Sequence, residues 1–326
     1  MPNPSGINVR IVAIGGYIPA RRVSNEDRLP AFGLSAEFLR AKLGIAMRSV
    51  KEPDEETSDL CVKAFADLAA QVKIAPSDAE LCCVVTQNPD VNIPHTAAIV
   101  HQKLGLSKAC MTFDLSQGCA GYAHGITIVS SLMERLGLEH ALLFTCDPYS
   151  KVVDPEDKNT ALIFGDAASA SYLCRSGAGY ALVDASFGTA PGTTSCLVCD
   201  RTPAGTTSAE PGPTLKMNGT AVLFHAAHEV PNSIRALLEK NGKTLGDVDL
   251  FLIHPGSKRV VDVIKKDLGI GDAKVPFEIA EYGNTVSSSI PLMLKQHVIL
   301  KKRPRVLLSG FGVGFSWGNC LVELVD

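Results

Sequence analysis

The feature that most restricts how this 326-residue chain can fold is a repetition of its own pattern. DAELCCVV (78–85) is matched by DVDLFLIH (247–254), each an acidic turn leading into an apolar run. FDLSQGCAGYAHGI (113–126) is matched by FEIAEYGNTVSSSI (277–290), and EHALLFTCD (139–147) by PRVLLSGFG (304–312). A pattern that recurs in order constrains architecture more than any single motif, because both copies must fold alike. Each copy reads as apolar run, small-residue turn, helix of period 3.6 and apolar run, which marks a parallel βαβ unit. In the first copy Tyr122, Ile126, Val129, Met133 and Leu136 share one helix face, so that helix packs on a sheet. A right-handed crossover then puts Cys119 between a buried strand and the amino end of the helix. The matching turn of the second copy holds Gly283 and Asn284. A pseudo-twofold relation brings the two turns together at the interface, where sites tend to form. The division is expected near residue 175, with an N-terminal half over 1–175 and a C-terminal half over 176–326. Within the latter, 186–215 is rich in Gly, Pro, Ser and Thr and reads as one long loop.

Composition removes several functions. The formal net charge is -3, so no global positive field exists to hold a nucleic-acid backbone. No apolar run reaches the roughly 18 residues of a membrane-spanning helix, and MPNPSGINVR lacks the basic and apolar segments of a signal peptide, so a cytoplasmic protein is expected. Most of the ten cysteines lie in apolar runs and read as small buried hydrophobes in a reducing compartment. Cys196 and Cys199 form a CxxC, but no second CxxC or HxxxH completes a metal set.

Three residues can carry chemistry. Cys119, in S-Q-G-C-A-G, sits at a helix amino end, where unpaired amides favour a thiolate, and Gly118 and Gly121 permit close approach of a substrate. His254 ends LFLIH and is followed by Pro255-Gly256, so the strand stops with its last side chain facing a cleft. Asn284 follows Gly283 in Y-G-N-T. Taken singly, these residues read equally as a buried thiol, a structural histidine and a helix cap. The repeat sets Cys119 and Asn284 on equivalent turns, and that combination points to nucleophilic catalysis. Gly310-x-Gly312-x-Gly314 is not a nucleotide loop, since no βαβ unit follows it.

Cys119, His254 and Asn284 occur in the order and approximate spacing of a Cys-His-Asn triad, and in this the chain resembles the ketoacyl-ACP synthase III enzymes of the thiolase superfamily. YIPARRVSN (17–25), DPEDKNTALIFGDAASA (154–170) and GFGVGFSWG (310–318) are similar to further segments of that family, so the likeness covers nearly the whole chain. It implies an α/β thiolase-like fold with two pseudo-twofold-related halves in five layers, α-β-α-β-α. It implies a homodimeric acyltransferase that loads Cys119 from a CoA thioester and condenses the acyl group with malonyl-ACP or malonyl-CoA. No permanently bound cofactor is involved, and an acyl carrier protein is the expected partner. By the same resemblance the backbone amides of Cys119 and Val313 form an oxyanion hole. Phe38, Lys42, Lys158, Lys258 and Arg259 meet CoA or the carrier, and Ile93 closes the partner's acyl pocket.

The chain also departs from the family. His254-Pro255-Gly256-Ser257-Lys258-Arg259 replaces the usual H-Q-A-N-x-R and is closer to type III polyketide synthases, and SAEFLRAKLGI (35–45) replaces a T-S-D-E-W pattern. These departures leave open a specialised-metabolism or cofactor-pathway homologue with an unusual donor or a non-malonyl acceptor. A non-catalytic partner subunit is the reading from another class, and retention of all three triad residues speaks against it.

Overall fold

The computed structural model describes residues 8–199, 214–299 and 303–325. Its main strands are β1 (Arg10–Tyr17), β2 (Leu81–Val85), β3 (Met111–Leu115), β4 (His140–Cys146), β5 (Ala168–Cys174), β6 (Gly179–Thr189), β7 (Leu250–Ile253), β8 (Arg305–Gly312) and β9 (Ser316–Val325). They form one hydrogen-bonded series, β7-β8-β9-β6-β1-β5-β4-β2-β3. The seam is short: Arg10 and Ile11 of β1 pair with Ala181 and Tyr180 of β6. Outward from it the first half runs β1, β5, β4, β2, β3 and the second β6, β9, β8, β7, so the connectivity repeats. The β3-β2-β4 and β7-β8 pairings are parallel, as βαβ crossovers require.

The main helices are α1 (Thr57–Ala69), α2 (Thr96–Leu104), α3 (Gly121–Leu136), α4 (Gly219–Lys240), α5 (Lys258–Leu268) and α6 (Ser289–Leu294). Their ends follow local chemistry. Glu56 and Asp59 form a capping box on α1, and Ser257 caps α5 by accepting from Val260 N. Helices α1 and α2 cover the outer face of the first half, burying Leu60, Phe65, Leu68 and Val100 against Val84, Leu142 and Phe144. Helices α4 and α5 cover the second half in the same way, through Val230, Ile234, Val261 and Ile264 against Phe251 and Leu307. Between the two sheets lie α3 and α6, whose Tyr122, Ile126, Val129, Met133, Ile290 and Met293 touch strands of both halves. This is the five-layer α-β-α-β-α arrangement.

Four local expectations need correction. Leu136, placed on the buried face of α3, is 55% exposed, because the helix ends there with Gly137 at φ 71°. The strand before Cys119 is not buried: β3 is an edge strand whose Met111 is exposed and whose other residues are half-buried. The second copy does not complete its repeat. Around Phe277–Ala280 no strand forms, because Ala280 O accepts from Ala46 N (2.8 Å) and Met47 N (3.0 Å), and Tyr282 O from Ser49 N (2.9 Å). These bonds to the first half replace a fifth place in the sheet. Lastly, 186–215 is not all loop. β6 runs on to Thr189, and Leu197–Cys199 pairs antiparallel with Leu215–Met217, while 200–213 lie outside the described residues.

Truncating a side chain of the central layer leaves a cavity between two sheets that cannot close independently. Ile126→Ala is expected to cost about 3 kcal/mol, and Leu136→Ala under about 0.5 kcal/mol, read from urea unfolding midpoints.

Candidate active site

Cys119 precedes the first turn of α3 and is 5% exposed. It packs with Tyr149, Phe164, Leu197, Leu215 and Val286, with Val313 against the same cluster. The end of β8 runs across it. A Cβ on Gly312 would lie 3.1 Å from Cys119 Sγ, and one on Gly310 only 2.6 Å from Cys119 O, so the strand reaches the cysteine only because both positions lack a side chain. Burial pushes the thiol well above its ordinary range, and the nearby Asp147 carboxylate adds to the shift. This opposes the stabilisation expected from the helix amino end and favours the protonated thiol.

His254 is the residue after β7. Its backbone N–H donates to Ser309 O (2.8 Å), which extends the β7-β8 ladder by one step and fixes the side chain at the carboxyl edge of the sheet. The ring meets Phe311 edge-on with centroids 5.6 Å apart. The residue is 2% exposed, and Nδ1 is buried without a hydrogen-bond partner among the described residues. Burial lowers the imidazole pKa to about 3, so the ring is neutral throughout the physiological range. Thus β8 carries Gly312 against the cysteine and Phe311 against the histidine on successive residues.

Asn284 is held by backbone from the other half. Its N–H donates to Ile163 O (2.9 Å) and its carbonyl accepts from Gly165 N (2.9 Å), making a one-residue parallel bridge at Phe164. The side-chain Oδ1 accepts from Val286 N (2.8 Å), so the amide turns its Nδ2 donor the other way. Val286 then has φ 53°, a strained conformation for a β-branched residue that persists only where neighbours over-determine it. Those neighbours are Ser287, whose Oγ donates to Asp147 Oδ2 (2.6 Å), and Ser288, whose Oγ donates to Thr145 O (2.9 Å). Val286 packs in the Cys119 cluster, so the turn that carries Asn284 adjoins Cys119, while β8 runs from Cys119 at Gly312 to the His254 ring at Phe311.

Three residues at this place escaped the sequence reading: Asp147, Gln87 and Tyr149. Asp147 follows β4 and is fully buried. It accepts from Gln87 N (2.7 Å) and Ser287 Oγ, while burial raises its carboxyl pKa to about 6. The one available signal was its position at the end of a repeated apolar run, EHALLFTCD. Gln87 and Tyr149 line a cavity of about 1680 Å³, as do Val313 and Ile93. Cys119 lies behind its wall, against Tyr149, Leu197, Leu215 and Val313. Ile93 stands at the cavity rim, 88% exposed.

The cationic positions expected to meet a ligand are on the surface. Lys42, Lys158 and Arg259 are exposed and Phe38 is 38% exposed. Lys258 is paired with Asp262 (2.7 Å) one turn along α5. The segment carrying Phe38 and Lys42 abuts the start of α5, since a Cβ on Gly44 would lie 2.7 Å from Lys258 Cβ. Phe38, Lys42, Lys258 and Arg259 therefore belong to adjoining surfaces. No helix among the described residues is long and apolar enough to cross a membrane.

The His254 shift has a measurable consequence. The unfolded imidazole titrates near about 6.5 and the folded one near about 3. As pH falls through this interval the unfolded chain takes up a proton that the folded chain refuses, so stability present above pH ~6.5 is lost. Melting temperature should therefore fall more steeply with acidification in the wild type than in His254→Gln.

Two family profiles match the chain: 3-oxoacyl-[acyl-carrier-protein (ACP)] synthase III over residues 113–191, and its C-terminal companion over residues 238–324. Beta-ketoacyl-[acyl-carrier-protein] synthase III of Neisseria gonorrhoeae is 31% identical over 325 residues, 96% of this chain and 98% of the relative. The enzyme of the same name from Lactococcus lactis is 31% identical, covering 97% and 99%. A 2.1 Å crystal structure of a 3-oxoacyl-(acyl-carrier-protein) synthase III superposes with a TM-score of 0.88 at 30% identity, covering 97% of this chain and 99% of that one. With the five-layer fold, these similarities assign the chain to the ketoacyl-ACP synthase III family, and it is an acyltransferase of the Claisen-condensing type.

Proposed function

We propose that Cys119 accepts an acyl group from a CoA thioester and that the acyl-enzyme condenses with malonyl-ACP or malonyl-CoA. One observation carries this reading: the end of β8 passes so close to Cys119 that a Cβ on Gly312 would lie 3.1 Å from its sulfur, and meets the His254 ring through Phe311, while Val286 links Asn284 to the Cys119 cluster. The Cys119 sulfur attacks the thioester carbonyl, the CoA–carbonyl bond breaks, and the thiol proton finishes on the departing CoA sulfur. The negative oxygen formed on the way is met by the backbone N–H groups of Cys119 and Val313. The malonyl thioester then loses CO2, and the electron pair of the broken bond becomes an enolate. Neutral His254 and the Asn284 Nδ2 donate hydrogen bonds to its oxygen. The enolate carbon attacks the acyl carbonyl and Cys119 leaves as thiolate. Burial is compatible with the histidine's part, because the neutral imidazole it favours still carries one N–H to donate to the enolate oxygen.

Phe38, Lys42, Lys158, Lys258 and Arg259 are assigned to CoA or to the carrier protein, on the basis of their exposure and, for four of them, their adjoining segments. The residues assigned to the reaction need no permanently bound cofactor. A homodimer is supported by the side of β3 that pairs with no strand among the described residues and by the exposed apolar side chains of Val91, Ile93 and Met111. In it Ile93 would close the partner's acyl pocket. The halves 1–175 and 176–326 are taken as the two units of the fold, and a cytoplasmic location accords with the free cysteines.

Incubation with acyl-CoAs followed by peptide mass spectrometry should place the adduct on Cys119, and Cys119→Ala should carry none. His254→Ala and Asn284→Ala should each slow malonyl-thioester decarboxylation by roughly 10²- to 10³-fold. Rates equal to wild type would remove both residues from the second half-reaction. Gly312→Ala, whose methyl would press on the sulfur, should lower loading about 100-fold with the fold kept, as read from circular dichroism.

A further inference from the structure

We propose that the acyl group carried by Cys119 bears a hydrogen-bond-accepting oxygen on its first few carbon atoms, and that Gln87 selects it. This rests on the acyl-cysteine reading above and names the class of donor for that site. Gln87 is held at two points. Its backbone N–H donates to the buried Asp147 (2.7 Å), and its Oε1 accepts from the Tyr149 hydroxyl (3.1 Å). Tyr149 is 3% exposed, and its ring is fixed against Phe164 with centroids 4.7 Å apart. The opposite amide orientation would leave the buried phenol proton without its acceptor, so Tyr149 determines which end of the amide is which. Among the described residues nothing binds the Nε2 donor, and it is the end left for a ligand.

Position defines what that ligand is. Gln87 Oε1 lies 2.6 Å from where a Cβ of Gly118 would be, and Val313 Cγ2 lies 3.2 Å from the same point. The amide thus stands beside the residue that precedes the nucleophile and beside the turn of the proposed oxyanion hole. It lines the same cavity as Tyr149 and Val313. A plain alkyl chain there would strip water from Nε2 and return no hydrogen bond, whereas a keto, hydroxyl or carboxyl oxygen would replace that water. Lys151, also in the cavity wall, is bound to Glu56 (2.6 Å) and Pro89 O (2.8 Å). The shared requirement is therefore the oxygen, and neutral and anionic forms are separated by experiment.

The test is single-turnover loading of the full-length protein, read as Cys119 adduct by mass spectrometry. Butyryl-CoA and hexanoyl-CoA are compared with acetoacetyl-CoA and 3-hydroxybutyryl-CoA in one arm, and with succinyl-CoA and glutaryl-CoA in the other. At least one oxygenated arm should load about tenfold faster than the plain chains, and the faster arm tells a neutral oxygen from a carboxylate. Gln87→Leu should reduce that preference about tenfold. Tyr149→Phe, which frees the amide to turn, should reduce it in the same direction and serves if Gln87→Leu does not fold. Equal or faster loading by the plain chains, or an unchanged preference in the folded variants, overturns the proposal and leaves the acyl-cysteine reading standing. Absence of loading with every donor overturns both.

Discussion

The structure depends on burying two helices, α3 and α6, between two sheets. Helix α6 is buried throughout and α3 exposes only Ile128, Ser131, Arg135 and Leu136, so one half of the chain could satisfy neither alone. Ile126, Val129 and Met133 are shared between the sheets, as are Ile290 and Met293 from the other copy. Apolar burial is non-directional, yet here it sets direction, because the amino ends of both helices must emerge at one seam. Those ends are the turns that carry Cys119 and Asn284. A molecule made of either half would expose a helix face of large apolar side chains, and the fold is therefore obligatorily double.

Polar groups at the seam then fix what apolar packing leaves loose. Asp147 comes from the first copy and Ser287 from the second, and their hydrogen bond spans the junction. The bridge between Phe164 and Asn284 does the same with backbone alone. Both lie in a dry environment, where a satisfied polar contact rigidifies and an unsatisfied one is costly. His254 Nδ1 has no hydrogen-bond partner among the described residues. Such an atom in a site built this tightly marks a position that structure alone does not explain.

Much of this was legible in the sequence, and the reasons differ by element. The α3 face could be read because its period is local, and the His254 strand end because Pro255-Gly256 stops the run. The repeat linked Cys119 to Asn284 without any three-dimensional information. What escaped depended on distant partners. Gln87 and Tyr149 are ordinary loop residues until 62 positions of chain bring them together. The missing fifth strand of the second half is taken up by Ala46–Ser49, a pairing that no periodicity reveals. The edge character of β3 was hidden because membership of a sheet does not disclose position within it. Leu136 failed for the simplest reason: a helical pattern does not say where the last turn rises out of the core.

The raised pKa of the Cys119 thiol bears on how that residue survives between turnovers. Oxidants and electrophiles attack the thiolate, and a sulfur kept protonated and 5% exposed offers them little of it. In the reaction proposed above, reactivity is withheld until a thioester occupies the site and the displaced proton has a sulfur to go to. On that reading, the same burial that makes the nucleophile weak at rest makes it durable, so its specificity begins with what it declines to react with.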